Sequence, residues 1–568
     1  MPFPPVVALI RALILLLGLS LPALAQVDTA PREGRRALGM NLAEVVGWST
    51  ELPFLDVMHN ATRWTGHTGD GWGGMDEEAL RAAGALDDEG WIIRFPPGVR
   101  RISTFVLVDL PAGMTSTAGT WHATWEGDAY LGFDGAARNV RYGDNSVTFD
   151  FTPGNGAVLI QFNRGTLRNL SIVHERNLDR VAAGELFNPD WLARVGDMEI
   201  LRFMDWMLTN NSEATDWDER ARVSDYSWSS RGVPVEIMVE LANQTGAEPW
   251  FTLPHLADDD YARHFAETVR DSLRHDLRAW FEFSNEIWNW SFTQANWAEQ
   301  NARARWNRDW AWVQFGAVRA AEVMRVIDEV YQGAEGRRVR VLGLFTGWIG
   351  LEHDMLEAPD YVAEDPATHR PPHEVFDAIA VTGYVSGEMH SEAKREILQG
   401  WLRDSRAAAE AAGRAAGLSG RALDDYVAEH RFDQAITLAG QDLIDGSVSG
   451  NAENSVRDLV DRTLAHHAEV AREYGLALVM YEGGTHVVVR PEDHRDDELV
   501  AFFEALNYSA AMGDVYRELI RGWQALTTAP FVAYMDMGQP SIWGAWGHLR
   551  HLDDSNPRWD ALIEATAR

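Results

Sequence analysis

Phe281-Glu282-Phe283-Ser284-Asn285-Glu286-Ile287-Trp288-Asn289 and, much later in the chain, Leu478-Val479-Met480-Tyr481-Glu482-Gly483-Gly484 are apolar runs that each lead into a carboxylate. Short aromatic and β-branched runs bounded by Gly, Asn or Ser read as strands. Glu286 and Glu482 therefore stand at two strand ends and project into whatever space lies above a sheet. Working outward, similar runs that end in polar residues are Leu38 to Glu44, Met198 to Phe203, Pro249 to Leu253, Ala279 to Phe283, Arg340 to Leu344, Asp377 to Val381, Leu476 to Tyr481 and Pro530 to Met535. Helical stretches separate most of these eight candidates. In this order Asn285-Glu286 follows the fourth strand and Glu482 ends the seventh.

Asn285-Glu286 together with the distant Tyr481-Glu482 resembles the catalytic signature of the clan A glycoside hydrolases, retaining enzymes built on a (β/α)8 barrel. Their acid/base is the Glu of an Asn-Glu dipeptide ending strand 4, and their nucleophile is a Glu ending strand 7. The resemblance implies an α/β chain folded as a TIM barrel, with Glu286 as acid/base and Glu482 as nucleophile. It also implies retention of anomeric configuration, with the two carboxyl groups about 5 to 5.5 Å apart. Asn285 would bond the sugar 2-hydroxyl, and Arg202, ending the second strand, would hold Glu482 ionised. The competing reading of Arg202 is a structural ion pair. Tyr384, after the sixth strand, matches a Tyr or His of the clan that bonds the nucleophile; a buried core Tyr is the alternative. A Trp at the end of strand 8 commonly supports the sugar at the cleavage point, and both Trp543 and Trp546 fit that description.

The remaining candidates come from the residues themselves. Aromatic rings stack on the faces of pyranose rings, which marks Trp288 and Trp290 after Glu286, Trp206 after the second strand and Trp348 after the fifth. His255 and Asp258 could line the cleft, with Asp259 read as a helix cap. Asn41 and Glu44, near the end of the first strand, are within reach of the same space. Metal-ligand, phosphate-loop and nucleophile-elbow motifs are missing, so neither cofactor nor metal is expected.

A barrel of this kind needs about 250 residues, far fewer than the 568 of the chain. Between the first two strands, Trp91 to Phe95, Phe105 to Val108, Thr120 to Trp125, Val147 to Phe151 and Val158 to Phe162 carry no helical period, so residues 85 to 175 read as an inserted β-sandwich-like domain. It is expected beside the cleft, with Trp121 or Trp125 as glycan contacts or as its own core. Residues 388 to 473, rich in Ala, Arg and Glu, read as a helical insertion. The barrel then occupies 37 to 75 and 176 to 560. Residues 1 to 25, an apolar run followed by Ala23-Leu24-Ala25, read as a signal peptide, which implies a secreted or periplasmic protein with no membrane attachment after cleavage.

The chain has no cysteine, 24 Trp and a hydrophobic content of 46%. It must be stabilised by an ordered core without disulfides. A formal charge of -35 disfavours nucleic acid and anionic membrane as partners. A neutral polysaccharide or oligosaccharide fits best, and the spread of Trp suggests an endo-acting hydrolase on a β-glucan. A transglycosylase of the same mechanism and a glycan-binding barrel without activity are the rival readings.

Overall fold

The computed structural model describes residues 27–69 and 71–567. The expected signal peptide, residues 1 to 25, lies outside the described residues. Eight parallel strands form the central sheet: β1 (Arg36–Asn41), β2 (Met198–Arg202), β3 (Glu248–Leu253), β4 (Ala279–Phe283), β5 (Arg338–Gly343), β6 (Ala378–Val385), β7 (Ala477–Thr485) and β8 (Phe531–Ala533). Each corresponds to one of the eight sequence candidates, with ends shifted by a few residues. Their spatial order is β7-β6-β5-β4-β3-β2-β1-β8, so the sheet curls until its two edges meet. At that seam the Tyr534 amide donates to the Gly483 carbonyl at 3.1 Å. Asn41 spans it from the first strand, its amide nitrogen donating to the carbonyls of Tyr481 at 2.8 Å and Ala533 at 3.3 Å. With helices packed around it, the sheet is a nearly closed (β/α)8 barrel.

Every residue of β3 and β4 is buried, as expected for parallel strands covered on both faces. Alternation along β4 sends Trp280 and Glu282 into the barrel, while Phe281 packs against Tyr331 and Phe283 against Trp297 on the surrounding helices. Low in the barrel, Trp280 donates to Glu248 at 2.7 Å, and Arg278 and Arg32 neutralise Glu248 and Glu199. This is the stabilising end.

The segment between β1 and β2 forms two antiparallel sheets. One holds Arg168–His174, Gly119–Glu126, Ser146–Phe151 and Arg138–Gly143; the other holds Gly74–Met75, Thr65–Thr68, Val99–Val106, Val158–Phe162 and Gly132–Gly135. Thr65–Thr68 and Gly74–Met75 thus pair within the insert, although the boundary at 75 had assigned them to the barrel. Their short runs carry too few apolar residues to read as strands alone. The insert touches the loops that follow β8: the Asp553 carboxylate accepts from the Ser116 amide at 2.7 Å, and the Leu552 amide donates to Thr50 at 3.1 Å. Trp121 and Trp125 are not glycan contacts. Both rings are buried in the insert, with their indole N–H groups donating to Thr117 and Ala129.

The region after β6 is helical, with Glu392–Ala415, Arg421–His430 and Asp433–Asp445 preceding the helix Ala465–Tyr474 that leads into β7. Its anchor is a buried ion pair, Lys394 to Asp442 at 2.6 Å. Among the described residues no helix is long and apolar enough to cross a membrane.

Candidate active site

Strictly alternating side chains on β7 would send Tyr481 and Glu482 to opposite faces. The β6–β7 register shifts at this point, with Val381 opposite Met480 but Thr382 opposite Glu482. One extra residue on β7 forms a bulge, and a bulge re-aims the side chains that follow it. Both neighbours consequently serve the same space. The Tyr481 hydroxyl donates to Glu286 Oε1 at 3.0 Å, and Glu482 Oε1 accepts from Arg202 at 2.8 Å.

Glycines make this bulge possible by packing rather than by admitting a ligand. A Cβ on Gly483 would lie 2.6 Å from the Met480 sulfur and 2.9 Å from Phe531, and one on Gly484 would lie 2.5 Å from the Tyr516 hydroxyl.

Arg202 is the hub. Fully buried at the end of β2, its guanidinium donates to Glu482 at 2.8 Å, Asn41 Oδ1 at 2.9 Å, Glu282 Oε2 at 2.9 Å and Asn285 Oδ1 at 2.8 Å. It also lies over the rings of Trp250 and Tyr481. The other oxygen of Glu482 accepts from the Tyr384 hydroxyl at 2.9 Å. Arg202, Asn285 and Tyr384 are therefore all in one network with Glu482.

Glu286 sits at the opposite side in a different setting. Its carboxylate accepts from Tyr481 and, at 2.8 Å, from the Asn289 side-chain amide, and among the described residues no cation pairs with it. The turn that presents it is strained: Ser284 and Glu286 both adopt left-handed backbone, at φ 61 and 42. For residues other than glycine such conformations cost about 1–3 kcal/mol each and persist where the surroundings impose them. Here Ser284 is tied to the β3 end through Leu253 at 2.7 Å, and Asn285 is held by Arg202.

Burial pushes the Glu286 carboxyl up, against its two hydrogen bonds. Burial likewise pushes Glu482 up to about 8, while Arg202 pulls it down and the charge of Glu286 raises it further. Two such acids titrate as a pair. When the pair holds one proton, it goes to the carboxyl without the guanidinium. Glu286 then is the acid, Glu482 the anion, and the repulsion that raised Glu482 disappears.

Glu282, a residue that the sequence alone does not mark as functional, is the second carboxylate on Arg202 and also accepts from Trp250 Nε1 at 2.9 Å. Inward alternation on β4 was the available signal. Tyr481 ends the seventh run and Tyr534 lies inside the eighth, but neither was singled out, because a tyrosine in an apolar run reads as part of the core. Tyr534 is bonded to Asp205, whose carboxyl is pushed up to about 7 by burial and then by the charge of Glu44 at the mouth.

The aromatic candidates divide. Trp288 stacks flat on Phe345, ring centres 4.0 Å apart. Trp290, Trp310 and Trp348 are substantially exposed around Trp312, forming a wall on the Glu286 side. Trp546 meets Tyr384 and Tyr534 edge-on near 6 Å, at 6.0 and 5.9 Å, which places it on the Glu482 side, whereas Trp543 projects into solvent against His494. Trp206 is a core residue stacked on Trp191. His255 is buried with its ring edge-on to Trp297, and burial lowers it to about 4. Asp258, rather than Asp259, caps the next helix by accepting from the Tyr261 amide at 2.7 Å.

No family model matches the chain, and no curated protein matches it. Among solved structures it is similar, at 9% identity and TM-score 0.35, to the CBM22-1–GH10 modules of the Clostridium thermocellum endo-1,4-β-D-xylanase 10B with xylohexaose, covering 93% of this chain and 98% of that one. A 4-O-α-L-rhamnosyl-β-D-glucuronidase from Fusarium oxysporum 12S gives 9% identity and TM-score 0.33, with 66% of this chain and 63% of that one covered. A Bacteroides ovatus GH5 xyloglucanase with a XXXG heptasaccharide gives 9% identity and TM-score 0.31, covering 82% and 95%. Likenesses this distant carry no argument about activity.

Proposed function

We propose that this chain is an exported retaining glycoside hydrolase that cleaves a neutral polysaccharide, most simply a β-glucan, from an open cleft. The observation that carries the reading is the asymmetric pair: two buried carboxyls at the ends of β4 and β7, with a guanidinium and a phenol on Glu482 and only neutral donors on Glu286. Environments that push two acids apart in this way assign their roles.

Glu286 protonates the glycosidic oxygen as Glu482 attacks the anomeric carbon, giving a glycosyl ester on Glu482 and releasing the leaving sugar. Glu286, now ionised, takes a proton from water, whose oxygen displaces Glu482 and restores the starting states. Arg202 steadies Glu482 as its charge is lost and regained. Tyr481 links the two halves, bonding Glu286 from the residue next to the nucleophile. The Trp290, Trp310 and Trp348 wall and Trp546 supply stacking surfaces on the two sides of the pair.

Purified protein should be screened on soluble β-glucans and oligosaccharides, with proton NMR of the first-formed product. The β-anomer appearing first supports the reading. An inverted product refutes the double displacement, and a protein that binds glycans without cleaving any refutes the enzyme.

A further inference from the structure

On the outer side of the barrel, between β5 and β7, three ligating side chains converge that the chemistry above does not use. Glu352, His466 and His467 each offer one ligand atom, and these atoms lie within 4.8 Å of one another. Glu352 belongs to the helix Leu351–Glu357 that follows β5, and the two histidines lie in the first turn of Ala465–Tyr474. Glu352 and His467 are buried, while the His466 side chain remains 27% exposed.

The hydrogen bonds leave an unusual remainder. Glu352 Oε2 accepts from the Gly350 amide at 2.7 Å, and Oε1 faces His466 Nε2 at 2.5 Å. His467 Nε2 faces the Thr346 carbonyl at 3.0 Å, so this nitrogen carries the ring hydrogen and Nδ1 keeps a bare lone pair. Among the described residues no partner reaches His467 Nδ1, although the residue is fully buried. An unsatisfied buried acceptor costs about 1–3 kcal/mol. An imidazole whose outer N–H is fixed on a backbone carbonyl, leaving the other nitrogen bare, is how proteins present a histidine to a metal.

We propose that Glu352, His466 and His467 form a binding site for a divalent transition metal, with zinc the ion that two imidazoles, one carboxylate and an open fourth position suit best. No sequence motif announces the site, because its ligands come from two helices far apart in the chain. Its consequence for the cleft runs through the loop after β5. Thr346 accepts from the Thr382 amide of β6 at 2.7 Å, and Phe345 beside it is the ring on which Trp288 stacks. Trp348 of the aromatic wall is on the same loop. An ion there clamps the loop to the helix before β7 and fixes the wall next to Glu286.

The full chain, stripped with a chelator and dialysed, is titrated with zinc chloride in a calorimeter. The metal content is then measured by mass spectrometry, and the same is done for His466→Ala, whose partly exposed ring can be removed without opening the core. Expected are one tightly bound zinc per chain in the wild type, a rise in its melting temperature with zinc, and binding weaker by more than tenfold in His466→Ala, the least that losing even an outer partner of a ligand costs. Cobalt(II) added to the wild type should give the visible absorption of a tetrahedral site, which does not depend on the variant folding. Absence of stoichiometric zinc and of that absorption in the wild type overturns the proposal, as does zinc binding of equal affinity in His466→Ala.

Discussion

Replacing Arg202 by Met removes the only cation that, among the described residues, contacts Glu282 and Glu482, while keeping much of the side-chain volume. Neither buried carboxyl can remain ionised without it, so each takes up a proton in the folded variant. In the unfolded chain both have ordinary values near ~4.3. Folding of the variant then binds protons that the unfolded chain lacks above that value, so its stability falls as pH rises. Each carboxyl that is neutral in the variant but ionised in the wild type adds about 1.4 kcal/mol of penalty per pH unit, or ~2.7 kcal/mol between about pH 5 and about pH 7. Removing one partner of a buried pair costs about 3–5 kcal/mol in comparable cases, which matches one such carboxyl near neutrality. Urea unfolding followed by tryptophan fluorescence at the two pH values measures the difference. A destabilisation that is the same at both would refute the reasoning, because it would mean that Arg202 acts by packing alone. Activity should be almost abolished at either pH.

Glu286→Ala should lose most activity on glycans with poor leaving groups, yet keep much of the first step on activated aryl glycosides and regain turnover with azide as the β-glycosyl azide; equal loss on both substrates without rescue would leave Glu286 a structural residue. A 2-fluoro sugar matched to the substrate should form an ester on Glu482, and peptide mapping that places the label elsewhere would remove Glu482 as nucleophile. Asp205, pushed up to about 7 in the fold, binds a proton that the unfolded chain releases near ~3.9, so it destabilises increasingly as pH rises between those values. Asp205→Asn should therefore raise stability relative to wild type by ~1–2 kcal/mol near about pH 8 and by almost nothing near about pH 4, the ceiling of ~4 kcal/mol being reduced by water at the barrel mouth. An equal change at both pH values would contradict it.

The eight barrel strands were legible because parallel strands covered on both faces are continuous apolar runs, and those of β3 and β4 are buried throughout. Arg202 and Tyr384 were legible by position at the ends of such runs, and both contact Glu482. What eluded the sequence was side-chain direction. Two adjacent residues, Tyr481 and Glu482, face the same space only because of a register shift that no local pattern encodes. Trp121 and Trp125 alternate correctly, but alternation does not say which face of a small sandwich is its core. His255 follows β3 just as Arg202 follows β2, yet its ring turns onto Trp297. The short strands Thr65–Thr68 and Gly74–Met75 contain little beyond Gly, Thr and His; the first is a strand because Val99–Val106 offers it an edge, and the second because the first then offers its own.

The seam bridged by Asn41 has a consequence for how the protein comes into being. The strand that closes the barrel is the last one synthesised, and it must pair with the first, so the contacts at Leu38–Phe531 and Met40–Ala533 span nearly the whole chain. Such distant pairings are slow to form. While the ribosome is still at work, Arg202 and Glu282 have emerged but Glu482 has not, and the insert and helical region, each with its own local pairings, are free to fold first. A nascent chain thus holds neither the carboxylate pair nor a closed barrel until its last strands are in place.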